Sequence, residues 1–338
     1  MKRALLIILA AILFIQSARP NTFRVNNTLT TDPAQKLFKT IPEAHNAATV
    51  LAGDTLLIEG TAVVHPAFTM TKRLVLIGTG YLLTENAQTQ SAAAQSIVSK
   101  ITIKPSAAGT ILIGLNFSDY YTENAPFIEA SNVIIMRCFI PNWLYLTGDI
   151  NNVQILQNFF LEGGIANYYT TDKFTNVVLK NNFISDPVNI TSNSSYQRTF
   201  AAVEYNIFQS TVILTTSLFR SNIITGIGAV VTVSSAQVQN NLVSSNQLPA
   251  SNGNQTYNAT QLFAGPTGNS TDGQYKIKTS SPYLTAGYNN SQPGIYGGSM
   301  PYVLSGMPPI PAIYELVADG FGSKQNGLPV TIKAKVNQ

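Results

Sequence analysis

The chain has 338 residues, enough for one large domain with a continuous core, and 45% of them are hydrophobic. Only 11% are charged, against about 25% in an ordinary soluble domain, and Asn, Ser, Thr and Gln make up the difference rather than a membrane-length apolar run. The formal net charge of +4 falls to about +2 once Lys2 and Arg3 are set aside with a leader; a nucleic-acid partner driven by charge is excluded.

Residues 1–18 read as a secretory signal peptide. Lys2 and Arg3 give the basic start, and residues 4–15 an apolar stretch too short to cross a bilayer. Cleavage is expected near Ala18, although Gln16 stands where a small residue is preferred. The expected location is secreted, periplasmic or cell-surface, with no transmembrane span in the mature chain. Cys138 is the only cysteine, so no intrachain disulfide forms, and its place inside a strand-like repeat makes it a core thiol.

Residues 19–53 are expected to form an N-terminal cap. Thr40 and Glu43 make a capping-box pair, while Ile41, Ala44, Ala48 and Leu51 share one helical face and Gly53 ends the helix. His45 falls on this helix as a boundary residue. A solenoid needs such a cover over its first open coil.

Residues 54–247 carry the repeats. DTLLIE from Asp54 and RLVLIG from Arg73 look like first coils. A nine-residue pattern of alternating apolar residues then recurs: TILIGLNFS from Thr110, NVIIMRCFI from Asn132, NVQILQNFF from Asn152, NVVLKNNFI from Asn176, FAAVEYNIF from Phe200, TSLFRSNII from Thr216 and SAQVQNNLV from Ser235. The seventh position holds Asn116, Cys138, Asn158, Asn182, Asn206, Asn222 and Asn241, spaced 16 to 24 residues apart. No copy can bury its apolar face alone, so the copies must stack and share a core. Uneven spacing favours a coil whose strands keep register while its loops vary. Asn suits the corner because it tolerates left-handed backbone angles and because its amide both donates and accepts, so the column is expected to be a structural asparagine ladder. The sequons at Asn116, Asn189, Asn193, Asn254, Asn258 and Asn269 are what an Asn- and Thr-rich chain produces by composition.

Residues 248–338 lose the period and read as an irregular last coil followed by a C-terminal capping segment. Within it, residues 313–317 and 329–336 are able to pair as a hairpin.

The phrase FKTIPEAHNAATVLAGDTLLIEG, followed by RLVLIGTGY and the Asn-cornered coils, resembles the pectin-lyase-like superfamily over residues 22–245. The resemblance implies an all-β, right-handed parallel β-helix. It leaves the activity open, since that superfamily holds polysaccharide lyases, glycoside hydrolases, phage tailspikes and adhesins. The closing segment from GIYGGSMPYVLSG onward is similar to the endings of secreted β-helix proteins of Bacteroidetes type, most without an assigned activity.

Loops that leave the ladder on one side should line up into a wall. Tyr120 and Tyr121, Trp143 and Tyr145, Tyr168 and Tyr169, and Tyr196 follow four consecutive corners, and such rings stack against the C–H faces of sugars; a polysaccharide or cell-surface glycan is the expected partner. Glu162 and Asp186 each lie four residues past a ladder Asn, so adjacent coils place them about 5 Å apart, the separation a retaining glycosidase uses. Both sit in turn contexts, before Gly163 and before Pro187. A pectate-type lyase would need a carboxylate cluster for Ca²⁺ and a basic residue on neighbouring coils, and Asp172, Lys173, Arg198, Glu204 and Arg220 fall at unlike offsets. A polygalacturonase-type site would need a His among Asp pairs, whereas His45 and His65 belong to the N-terminal region. No cofactor or metal ligation is expected. A non-catalytic scaffold that binds glycan is the leading expectation, with a polysaccharide lyase or glycoside hydrolase in the same groove as the alternative.

Overall fold

The computed structural model describes residues 20–117, 126–235, 237–325 and 327–337. The signal-peptide reading of residues 1–18 therefore lies outside the described residues.

Three ladders of short parallel strands stack into a parallel β-helix. The first runs from Thr22–Val25 through Thr55–Ile58, Val75–Ile77, Ile111–Ile113, Ile134–Met136 and Gln154–Leu156, and on through the longer strands Lys173–Lys180 and Arg198–Glu204. The second includes Phe68–Met70, Ile101–Ile103, Phe127–Ile128, Leu144–Leu146, Ile165–Asn167 and Val188–Asn189. The third, made of two-residue strands, runs from Phe159–Phe160 to Gln255–Thr256. Along the ladders alternate residues enter one continuous core, with Leu76, Leu112, Ile135, Ile155 and Leu179 fully buried in successive coils of the first ladder.

The corner between the first and third ladders holds the amides. The Asn158 side-chain NH₂ donates to Asn182 Oδ1 at 3.0 Å, Asn182 to Asn206 at 3.1 Å, Asn206 to Asn222 at 3.0 Å, Asn222 to Asn241 at 3.1 Å and Asn241 to Asn254 at 2.9 Å. Each Oδ1 also accepts the backbone N–H of the preceding rung, as Asn182 Oδ1 does from Asn158 at 2.9 Å. At the start of the column Cys138 has no amide but donates its backbone N–H to Asn158 Oδ1.

Three details differ from the sequence reading. Asn116 is out of the column: it pairs with Phe139, one place beyond Cys138, and its amide donates to Gln95 Oε1. The reason is that Gly114 (φ 63°), and not a residue one place later, takes the left-handed corner position in that coil. The left-handed residues are also not the ladder asparagines but the ones just before, Arg137, Gln157, Asn181, Tyr205, Ser221 and Asn240, all with φ of 53° to 57°. Asn is selected at the next place for its amide alone. Asn254, which ends the column, belongs to a coil without an apolar signature.

The helix Ile41–Asn46 packs over the first coil with its capping box formed by Thr40 and Glu43. It stops at Asn46, well before Gly53, so Ala48 and Leu51 are exposed and Val50 supplies the buried contact instead. His45 is buried, its Nε2 accepting from the backbone N–H of Thr71 and Lys72.

The third ladder points a second apolar column outward: Phe139, Phe159, Phe183, Ile207, Ile223 and Leu242. Residues 257–307 cover it lengthwise, burying Leu262, Ile295 and Tyr302 against it. This tail thus runs along the flank of the solenoid. Tyr302 is tied by its hydroxyl to Tyr81 and to the fully buried Asp272. After it, Pro311–Ala318 and Val330–Val336 form an antiparallel hairpin. No helix among the described residues is long and apolar enough to cross a membrane.

Candidate functional site

The second ladder presents its outer face to solvent, and register alone lines up Thr102, Phe127, Tyr145 and Ala166 there on successive strands. Phe127 and Tyr145 are direct cross-strand neighbours with ring centroids 4.9 Å apart. From the next loop Tyr168 reaches over both, 5.0 Å from Phe127 and 5.3 Å from Tyr145 and edge-on to each, and Tyr169 stands 4.7 Å from Tyr168. Tyr168 and Tyr169 remain 51% and 58% exposed, so the cluster offers ring faces to solvent. Burial, and then the neighbouring Tyr168, raise the Tyr145 phenol above its ordinary value.

The loop bearing Tyr168 and Tyr169 is held from below. Asp172, almost fully buried, accepts from Thr147 Oγ1 at 3.1 Å, from Gly148 N at 2.8 Å and from Tyr169 N. Arg198 donates to the carbonyls of Asp172, Thr191 and Thr170, tying this loop to that of the following coil. Asp172 and Arg198 thus act as braces, their hydrogen-bonding capacity spent on backbone and hydroxyl groups.

Charge lies at the other side of the cluster. Lys100 Nζ sits 4.0 Å from the Phe127 ring centroid, a cation–π contact. Lys104 pairs with Glu129 at 2.7 Å. A depression of about 640 Å³ opens among Lys104, Glu129, Thr147, Tyr169 and Asp172, and one of about 280 Å³ adjoins it beside Lys100, Phe127 and Tyr168. Together they form a shallow polar groove with an aromatic wall, a shape that suits a chain of hydroxylated rings.

The residues singled out from sequence fare differently. Tyr145, Tyr168 and Tyr169 come together in this cluster. Trp143 lies on the same outward face as Tyr145, two residues earlier, half-buried against Gly164, where an added Cβ would stand 3.0 Å from its ring and 2.3 Å from the Pro187 carbonyl. Tyr196 is half-buried on the next loop, its ring 5.9 Å from the Arg198 guanidinium carbon, and takes no part in the ring contacts of the cluster. Tyr120 and Tyr121 lie outside the described residues. Glu162 and Asp186 do occupy neighbouring rungs, since Phe160 pairs with Ile184. Both serve turns, however: Glu162, at φ 62°, donates its N–H to Ser185 Oγ, and Asp186 donates its N–H to the Gly163 carbonyl. Neither lines the two depressions. Phe127, Lys100, Lys104 and Glu129 were not found from sequence, because the repeat pattern follows the first and third ladders only.

Among the described residues no group of three or more His, Cys, Asp and Glu is placed to hold a metal ion. No protein-family model matches the chain, and no curated protein matches it in sequence.

Proposed function

We propose that this chain is an exported or envelope-associated β-helix scaffold of pectin-lyase-like type that binds glycan, without cleaving it, along the groove of the second ladder. One observation carries the reading: the packed group Phe127, Tyr145, Tyr168 and Tyr169, whose two outer tyrosines keep their ring faces open beside a polar depression. Aromatic side chains left in water on a rigid support are where stacking partners bind. The rigidity comes from Asp172 and Arg198, which fix the loop before any ligand arrives, so little ordering entropy is lost on binding.

The alternative, hydrolysis or lyase chemistry, has one observation in its favour, the neighbouring rungs of Glu162 and Asp186, and these lie outside the groove. A panel of neutral and acidic polysaccharides separates the two. Retention of the protein on an immobilised glycan with no new reducing ends or unsaturated uronates supports binding, and product formation overturns it.

A further inference from the structure

The C-terminal hairpin has two unlike faces. Its register sets Leu316 opposite Ile332, Ala318 opposite Val330 and Pro311 opposite Val336, and an irregularity between Ile313 and Glu315 keeps apolar residues on the same face along both halves. Leu316, Val330, Ile332 and Val336 are 50% to 59% exposed, and every residue of that face is uncharged. The opposite face carries the Glu315–Lys333 ion pair and Lys335 beside the Tyr314 ring. Among the described residues it is the base that is fastened to the solenoid: Ala312 is buried with Leu83 and Met307, the Ser91 N–H donates to the Ile313 carbonyl, and Arg137 donates to the Asn337 carbonyl. A two-stranded sheet is marginal in water by itself, and a contiguous apolar patch on an otherwise polar protein marks a contact surface.

We infer that this apolar face packs against the same face of a second copy of the chain, hairpin on hairpin across a two-fold axis. The surface is self-complementary, because it bears no charge to repel its own copy, and stacking leaves both ion-paired faces in water. Half-exposed Ile313, Leu316, Val330, Ile332 and Val336, with the small exposed residues between them on the same face, leave on the order of 500 Å² per copy, so a pair of copies buries on the order of 1,000 Å² in total, the lower limit for a specific interface. The result is a reversible dimer rather than an obligate one. Insertion into a lipid surface is disfavoured, since the edge of Val330–Val336 away from its partner strand leaves backbone groups that lipid cannot satisfy.

Sedimentation velocity of the full chain over a wide concentration range is the test. A monomer–dimer equilibrium is expected, with the dissociation constant raised at least about tenfold by Ile332→Lys and unchanged by Lys333→Ala on the opposite face. Because Ile332→Lys also weakens the hairpin's own packing, oxidation of Ile332→Cys supplies a second reading: it is expected to give a disulfide-linked dimer that Lys333→Cys does not give. A chain that stays monomeric at every concentration, a dimer that survives Ile332→Lys, or a monomer that instead co-sediments with phosphatidylglycerol vesicles overturns the inference.

Discussion

Asn181 and Asn182 are consecutive residues whose side chains face opposite ways from one corner of the solenoid. The Asn181 amide donates outward to the carbonyls of Ile295 and Gly297, at 2.8 Å each, while the Asn182 amide donates inward to Asn206 and to the carbonyls of Ile155 and Lys180. The pattern repeats along the column, with Gln157 reaching out to Met300 and Pro301 and Arg137 to Met307. One row of side chains therefore joins coil to coil, and the row beside it clamps the tail on the flank.

The two rows should fail differently. Asn182→Leu leaves the backbone N–H and amide of Asn158 without their acceptor inside the core, and orphaned buried donors cost about 1–3 kcal/mol each. A global loss of about 3–5 kcal/mol is expected in denaturant unfolding. Asn181→Gly keeps the left-handed backbone and removes only the clamp. Its expected effect is faster hydrogen exchange confined to the tail around residues 294–307, with the global midpoint little changed; a global loss as large as that of Asn182→Leu would refute the division of roles.

His65 gives a pH dependence. It pairs in register with the inward-facing Val98 and is fully buried. Neither ring nitrogen makes a hydrogen bond of ordinary geometry. Burial pushes its imidazole down to about 4, offset only in part by the Glu59 backbone. The unfolded chain, with an ordinary imidazole near 6.5, takes up the proton first. This contribution is thus complete above about pH 6.5, is lost as pH falls toward about 4, and amounts to about 3 kcal/mol at most. Urea unfolding at pH 7, 5.5 and 4 should show the loss in the wild type and a flatter profile in His65→Leu; parallel profiles would rule out His65 as the source.

The fold was legible because stacking needs repetition, and repetition is visible in a single sequence. Five corner asparagines, at 158, 182, 206, 222 and 241, and the alternation around them suffice to identify a solenoid. What blurred was register: TILIGLNFS aligns with the later copies by eye, yet Gly114 turns the corner there and moves Asn116 one place out. The groove was half legible. Tyr145, Tyr168 and Tyr169 stood out as aromatic residues in loops, whereas Phe127 sits in a two-residue strand too short to show any period, and Lys100 joins the site only through the stacking of coils.

Cys138 occupies a ladder position without the ladder chemistry. Burial pushes its thiol up to about 12, so it should resist a disulfide reagent such as DTNB at pH 8 in the folded protein and react once in urea. Cys138→Asn should extend the column by one rung, since an amide there faces Asn158 Oδ1, which already accepts the Cys138 N–H. A change in stability within about 1 kcal/mol is expected, against a loss of more than about 2 kcal/mol for Cys138→Asp, which buries a charge. Equal losses for the two variants would mean that the corner does not extend to this coil.

The groove makes the sharpest demand on the functional reading. If sugar rings stack on the outer tyrosines, Tyr168→Ala should weaken binding to whichever glycan retains the wild type by about tenfold, the usual cost of removing a central aromatic contact. Tyr168→Phe should leave binding within about twofold, because stacking uses the ring face and not the hydroxyl. Glu162→Gln should leave binding unchanged, since Glu162 lines neither depression. Asp172→Asn tests the brace: it keeps the shape but turns one of the oxygens that accept from Gly148 and Tyr169 into a donor, so the loop loosens. Its affinity should fall through faster dissociation while the association rate holds. Titration calorimetry and surface plasmon resonance read all four variants, and a Tyr168→Ala variant that binds as tightly as the wild type would remove the aromatic wall from the site.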